Sequence, residues 1–345
     1  MSYLEQEILE QPEVLGRLME QEKGTVETIA RAIRERQPRF AVLVARGSSD
    51  NAARYGQYLL GAVNGLPVAL ATPSLFTLYR RPPRLGDALV IAVSQSGQSP
   101  DIVAVVEEGR RQGALTLAVT NDPVSPLAQA AELLIPLHAD AERSVAATKT
   151  YTASLFALGM LSAALAGDAG MFAALQTVPE AIRQVTSSAP DICRASERYR
   201  YMEACVVVSR GYNYATAHEI ALKLKELTYV LAEPYSSADF RHGPVALVEK
   251  GFPVIAIVPE GAVTAEMVDF LRRLREWEAE LVVISAREEG LSLAQTPLPL
   301  PAGIPEWLSP MVAVVPGQLF ALGLTQARGL NPDQPRGLQK VTRTE

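Results

Sequence analysis

Shifted by 164 residues, the sequence falls back onto itself. VLVARG at 42–47 faces VVVSRG at 206–211, and LVIAVSQSG at 89–97 faces PVIAIVPEG at 253–261. LAVT at 117–120 faces LVVI at 281–284, and LFALG at 155–159 recurs unchanged at 319–323. Matches at one offset with no net gap mean two copies of one structural unit. Whatever one copy folds into, the other should fold into as well, and 345 residues give each copy the length of an ordinary domain.

Inside each copy, continuous apolar runs alternate with helical stretches. Val42–Ala45, Ala88–Val93 and Leu115–Val119 read as strands of the first copy. Val206–Ser209, Val254–Val258 and Leu281–Ile284 read as strands of the second. Such runs suit strands buried on both faces. Ile102–Arg111 and Met267–Glu278 read as helices between them. Strand–helix alternation implies parallel strands joined by right-handed crossovers. The expected fold class is therefore α/β: two tandem flavodoxin-like, three-layer αβα domains with mostly parallel sheets, N-terminal helices and an extended C-terminal tail. The expected organisation is a helical lead-in at 1–37, domains at 38–168 and 201–328, linking helices at 169–200, and a tail at 329–345. In the lead-in, Val26, Ile29, Ala30 and Ile33 share one helical face.

Composition narrows the function. A net charge of -6 without a Lys/Arg block gives no footprint for nucleic acid. No apolar run of membrane-spanning length is evident and the acidic start is unlike a signal peptide, so the expected compartment is the cytoplasm. Cys193 and Cys205 make neither a disulfide framework nor a zinc site, and the three histidines lack metal-ligand spacing, so no metal is expected. Of 32 basic residues only six are lysines. Where Arg supplies ordinary positive charge, a retained Lys points toward amine chemistry.

Parallel sheets take ligands at the carboxyl ends of their strands. The first copy has two polar loops there, Arg46-Gly47-Ser48-Ser49 and Ser94-Gln95-Ser96-Gly97-Gln98-Ser99. Hydroxyls before a helix N-terminus suit a phosphate dianion; the ordinary alternative is a Ser-rich loop with an N-cap. Neither GxxxxGK[ST] nor GxGxxG is present. The second copy has Pro259-Glu260-Gly261 in place of the serines, so one phosphate site per chain is expected. In HEIALKLKELTYVLA, Glu219, Lys223 and Glu226 share one helical face, beside a stripe of Ile220, Leu224, Leu227 and Leu231. Two carboxylates around one ammonium suit proton transfer, or else form a solvated salt-bridge ladder. His242, before a Gly-Pro turn, is an acid–base candidate or a surface histidine. Glu142–Thr150 opens the helix that carries LFALG, either as a capped start or as a stretch that approaches a ligand.

Together RGSS, SQSGQS, VAATKT, EIALKLKE, FRHGP and DQPRGLQKVT…E resemble the sugar isomerase (SIS) domain family, specifically the isomerase half of glucosamine-6-phosphate synthase. The resemblance runs from about residue 5 to Glu345. It implies that Ser94, Gln95, Ser96 and Ser99, with Ser49 nearby, hold a sugar phosphate. Gly47, Ser48, Val145 and Ala147 should line the sugar. Glu226 should move a proton between C1 and C2, with Lys223 and Glu219 as electrostatic partners. His242 should open the sugar ring and come from the neighbouring subunit of a homodimer. Lys340 should condense with a keto sugar, on a tail that closes the site. No cofactor is implied.

The chain departs from that pattern in three places. The synthase carries an N-terminal glutaminase domain with a nucleophilic Cys, whereas this chain begins Met-Ser-Tyr, so it is not expected to hydrolyse glutamine. Ala147 stands where Ser is typical, and Asp239 where Glu is usual. The expected activity is amino-sugar-phosphate isomerase/deaminase: glucosamine 6-phosphate to fructose 6-phosphate and ammonia, or the reverse. The alternatives are a fructosamine-phosphate deglycase, an aminotransferase subunit fed by a separate glutaminase, and a non-catalytic sugar-phosphate sensor.

Overall fold

A computed structural model describes residues 1–340; the tail's last five residues, Val341–Glu345, lie outside the described residues. The described chain forms two parallel five-stranded sheets. The first contains β1 (Phe40–Val44), β2 (Val68–Leu70), β3 (Ala88–Ser94), β4 (Leu115–Thr120) and β5 (Leu133–Pro136), in the order β2-β1-β3-β4-β5. The second contains β6 (Ala204–Ser209), β7 (Leu231–Ser236), β8 (Pro253–Val258), β9 (Glu280–Ser285) and β10 (Thr296–Pro299), in the order β10-β9-β8-β6-β7. Read from the other edge, the second order repeats the first, so the duplication extends to topology. Both follow the doubly wound, flavodoxin-like order.

Burial explains the strand composition. All seven residues of β3 are buried, and it pairs with β1 through Val42↔Val90 and Leu43↔Ile91. Each fully buried Val or Ile contributes about 1.5–3 kcal/mol. On one face of the first sheet, Val42, Val90 and Ala92 meet Ile102, Val105 and Val106 of helix Pro100–Arg111. In the second sheet, Val206, Val254 and Ala256 meet Met267, Phe270 and Leu271 of helix Thr264–Glu276. The edge strands β2, β5 and β10 span only three or four residues, and β7 has Glu and Pro within its run, which is why they escaped the sequence reading.

The chain divides into two compact units. The first unit holds the first sheet, from residues 13–142 and 149–177, and also takes Gln339 and Lys340 from the tail. The second holds the second sheet, from residues 178–338, and takes residues 1–12 and 143–148. Helix Gln11–Arg36 buries Val26, Ile29, Ala30 and Ile33, the expected face.

Two expectations need correction. The helix beginning at Tyr214 ends at Thr228, because Tyr229 is left-handed at φ 60. Leu231 therefore leaves the proposed apolar stripe; it starts β7 and is exposed. Helix Ser309–Ala327 does have the length and apolarity of a membrane span, but 89% of that stretch is buried inside the fold. It packs on helices Val178–Ser187, Ala189–Ser196 and Tyr214–Thr228 as the second unit's core helix.

Candidate active site

In the first unit, the doubly wound order switches between β1 and β3, and there an open parallel sheet receives its ligand. The two hydroxyl-bearing loops leave those strand ends. Arg46–Ser49 leads into helix Gly47–Asn64, and Ser94–Ser99 leads into helix Pro100–Arg111. An ion pair ties them together. Arg46 Nη2 lies 2.7 Å from Asp101 Oδ2, and Nε donates to the same oxygen at 2.8 Å. Asp101 is fully buried, and its other oxygen accepts the Ile102 N–H at 2.9 Å. Gly47, Ser48 and Ser49 are thus held at the same end of the sheet as Ser94, Gln95, Ser96 and Ser99.

The loop's hydrogen bonds leave it rich in donors. Ser94 Oγ accepts the Gly97 N–H at 3.1 Å, and Ser96 Oγ accepts the Gln98 N–H at 3.3 Å. A serine hydroxyl used as an acceptor still has its own hydrogen to donate. Ser99 occupies the N-cap position before Pro100, but its hydroxyl makes no capping bond. Gly97 forms the turn. Its φ is +62, and a Cβ there would lie 2.1 Å from Ser125 Oγ. Several hydroxyl donors beside a helix N-terminus form an anion-binding arrangement.

Lys340 is the first unit's other candidate. Its Nζ lies 2.6 Å from Glu142 Oε2. Glu142, whose carboxylate is fully buried, also accepts the Thr150 N–H at 3.1 Å and the Thr150 hydroxyl at 2.8 Å. It therefore caps helix Lys149–Ala166 and holds the tail lysine as well. The duplication carried a signal for this residue, since Glu142 and Glu306 stand 164 positions apart and both precede a long apolar helix.

In the second unit, helix Tyr214–Thr228 places Glu219, Lys223 and Glu226 in one ionic row. Lys223 Nζ lies 3.3 Å from Glu219 Oε1 and 2.7 Å from Glu226 Oε2. Glu219 and Lys223 are buried, whereas the Glu226 side chain is 22% exposed. A solvated ladder is therefore ruled out. Burial alone would pull the Lys223 pKa down, but the charges of Glu219 and then Glu226, with their hydrogen bonds, outweigh it and raise it above the usual lysine range. Lys223 is a fixed cation, and Glu226 is the member of the row that reaches solvent.

Val145 and Ala147 are half-buried on Arg143–Thr148, a segment of the second unit. Its start is gripped by buried Glu7, whose carboxylate accepts the N–H groups of Arg143 and Ser144. Sequence reasoning missed Glu7, because no local pattern links it to a loop more than a hundred residues away. His242 caps the short helix Ser237–Arg241, is exposed, and takes no part in the ion pairs of the Glu219–Lys223–Glu226 row. In the loop after β8, Glu260 is turned to Arg287 at 3.1 Å and to the Gly303 N–H at 3.1 Å. It is Glu306 that accepts the Ala262 N–H, at 2.6 Å.

The profile of the SIS domain matches residues 36–164 and 203–326. Glutamine–fructose-6-phosphate aminotransferase (isomerizing) of Thermus thermophilus is 33% identical over 359 residues. That match covers 99% of this chain and 59% of the relative, so the chain spans about three fifths of its length. A Silicibacter pomeroyi protein described provisionally as a phosphosugar isomerase superposes with a TM-score of 0.87 at 36% identity, covering 96% of this chain and 100% of that one. The C-terminal domain of glucosamine-fructose-6-phosphate aminotransferase from Francisella tularensis gives 0.87 at 25% identity, covering 97% and 98%.

Proposed function

This chain belongs to the SIS domain family, and on that premise we propose that it is a sugar-phosphate isomerase that converts glucosamine 6-phosphate to fructose 6-phosphate and ammonia, or runs the reverse. The buried Glu219–Lys223–Glu226 row carries the reading. A buried ion pair is poor value for stability compared with apolar packing, and a charge row with one carboxylate reaching solvent is the arrangement a proton-transfer base needs.

In this reading, Ser94, Gln95, Ser96 and Ser99, with Ser49, hold the sugar's phosphate. Gly47, Ser48, Val145 and Ala147 line the sugar. His242, supplied by the neighbouring subunit of a homodimer, protonates the ring oxygen and opens the ring. Glu226 takes the proton from C2 of the open-chain amino sugar and returns it to C1, leaving an imine at C2. Lys223, itself paired with Glu219, orients Glu226. The Lys340 amine adds at C2 and ammonia leaves; water then hydrolyses the Lys340 imine to release the ketose. Glu142, hydrogen-bonded to Lys340, accepts the proton that the ammonium must lose first. The phosphate anchor keeps C1 and C2 in register with the base.

Ala147, where the resemblance implies Ser, gives the sugar one contact fewer, which keeps a fructosamine-phosphate deglycase as a second reading. Incubation with glucosamine 6-phosphate should yield fructose 6-phosphate and ammonia, and Glu226→Gln should lose ~10²–10⁴-fold in rate. Turnover of N-substituted sugars alone would favour the deglycase. Binding without turnover by the unaltered protein would reject both in favour of a sensor.

A further inference from the structure

The tail that carries Lys340 is fastened twice within the second unit, at Asp333 and at Arg336. The Asp333 carboxylate accepts the N–H of Tyr3 at one oxygen and of Leu4 at the other, both at 2.9 Å. These are orphan donors at the start of helix Tyr3–Leu9, where an anion is favoured by the helix dipole. Three residues further on, the Arg336 N–H donates to the Tyr229 hydroxyl at 2.7 Å, and its guanidinium lies 4.4 Å from the centre of the Tyr229 ring. Tyr229 is the left-handed cap of the helix bearing Glu219, Lys223 and Glu226. The matching residue in the first copy, 164 positions earlier, is Gly65, also left-handed at φ 64. A tyrosine kept where glycine fits without strain indicates that its side chain has a task.

Helix Tyr3–Leu9 holds a second segment at its other end. Glu7 accepts the N–H groups of Arg143 and Ser144, immediately before Val145. The Arg143 guanidinium in turn lies 5.3 Å from the centre of the Tyr3 ring. One short helix is thus gripped by a tail carboxylate at its start and grips a loop through its own carboxylate.

We propose that helix Tyr3–Leu9 is a two-ended clamp that fixes the course of the tail leading to Lys340 and the course of the 143–148 loop, with Asp333 and Glu7 as positioning residues. This rests on the sugar-phosphate reading above. The reacting group is Lys340: its Nζ adds to the C2 carbonyl of fructose 6-phosphate and expels water, giving an imine. Added borohydride delivers hydride to that carbon and solvent supplies a proton to nitrogen, giving a stable secondary amine that mass spectrometry locates.

The test uses the full chain, fructose 6-phosphate and borohydride, on the unaltered protein, Asp333→Ala, Asp333→Asn and Glu7→Gln. Lys250→Ala, which removes only an exposed pair with Glu278, is the control. We expect Lys340 labelling in the unaltered protein and about tenfold to a hundredfold slower labelling in Asp333→Ala, in line with the ~10²-fold cost of a ~1 Å misplacement. Affinity for inorganic phosphate should stay unchanged, and deuterium uptake should rise in the tail. Asp333→Asn should fall between, since it keeps acceptor oxygen but no charge. Glu7→Gln should raise uptake in 143–148 and raise KM more than it lowers kcat. Equal labelling of the unaltered protein and Asp333→Ala would overturn the clamp and leave the Lys340 chemistry standing. Absence of labelling in the unaltered protein would overturn that chemistry and the clamp with it. Loss of near-UV circular dichroism in both Asp333 variants would also overturn the clamp, since the contact would then belong to the fold and not to the tail.

Discussion

The two sheets run their strands in one order, but the ends of their central strands carry opposite chemistry. After β3, Ser94, Ser96 and Ser99 present hydroxyls around Gly97. After β8, at the matching position, Gly261 is followed by Ala262, whose N–H is occupied by the Glu306 carboxylate. The helices after the first strands diverge the other way. Leu59 is fully buried on helix Gly47–Asn64, and the matching residue on helix Tyr214–Thr228 is Lys223, equally buried and flanked by two carboxylates. The apolar layers that close each sheet are shared, whereas the strand-end loops and three helix positions differ: Tyr55 against Glu219, Leu59 against Lys223 and Ala62 against Glu226. One copy carries a loop of serine hydroxyls, the other a charged row.

The largest effect should come from Lys223 against its counterpart. Lys223→Met leaves two carboxylates facing each other without their cation and should cost about 3–5 kcal/mol, whereas Leu59→Met should cost under about 1.5 kcal/mol. Urea denaturation measures both. The pH dependence has a definite sign. Because the folded state raises the Lys223 pKa, its stabilisation is complete below the unfolded lysine value and is lost only as pH climbs through the folded value, so its share of stability should be flat through neutrality and fall in strong alkali. In Lys223→Met, an unpaired buried carboxyl has a raised pKa, so that variant should gain stability on acidification. No gain would mean that water reaches the row.

A smaller effect should separate the two loops. Gly97→Ala forces a side chain into a left-handed backbone, worth about 1–2 kcal/mol, and against Ser125, 2.1 Å from the new Cβ. It should weaken phosphate binding at least tenfold by calorimetry. Gly261→Ala meets Glu306 instead, and should lower stability while leaving phosphate affinity unchanged. Smaller again, Ser99→Ala should weaken phosphate binding by about 1.5 kcal/mol, as for a hydrogen bond to a charged group. Glu306→Ala should cost about 1 kcal/mol, as for a lost helix cap, with no change in phosphate affinity. Equal sensitivity of phosphate binding to changes in both loops would erase the proposed division of labour.

The sequence located the inner strands because β1, β3, β4, β6, β8 and β9 are apolar on both faces. The edge strands were hidden: β7 reads Leu-Ala-Glu-Pro-Tyr-Ser and has a half-exposed surface. Glu219, Lys223 and Glu226 could be placed on one helical face from their spacing, but their burial could not, since the same spacing also occurs in solvated ladders.

By itself the sequence determined that there are two copies, that each is built on parallel strands, and which loop is rich in hydroxyls. Apolar periodicity and repetition are written locally, and local pattern is enough to read them. Only the tertiary structure decided that Glu142 holds Lys340, that Glu7 grips Arg143 and Ser144, that Asp333 caps the first helix, and that Glu306 and not Glu260 sits on the Ala262 N–H. Each of these is a carboxylate meeting a donor far away in the chain. Such a pairing depends on chain return through the fold, and it leaves no periodic trace at either end.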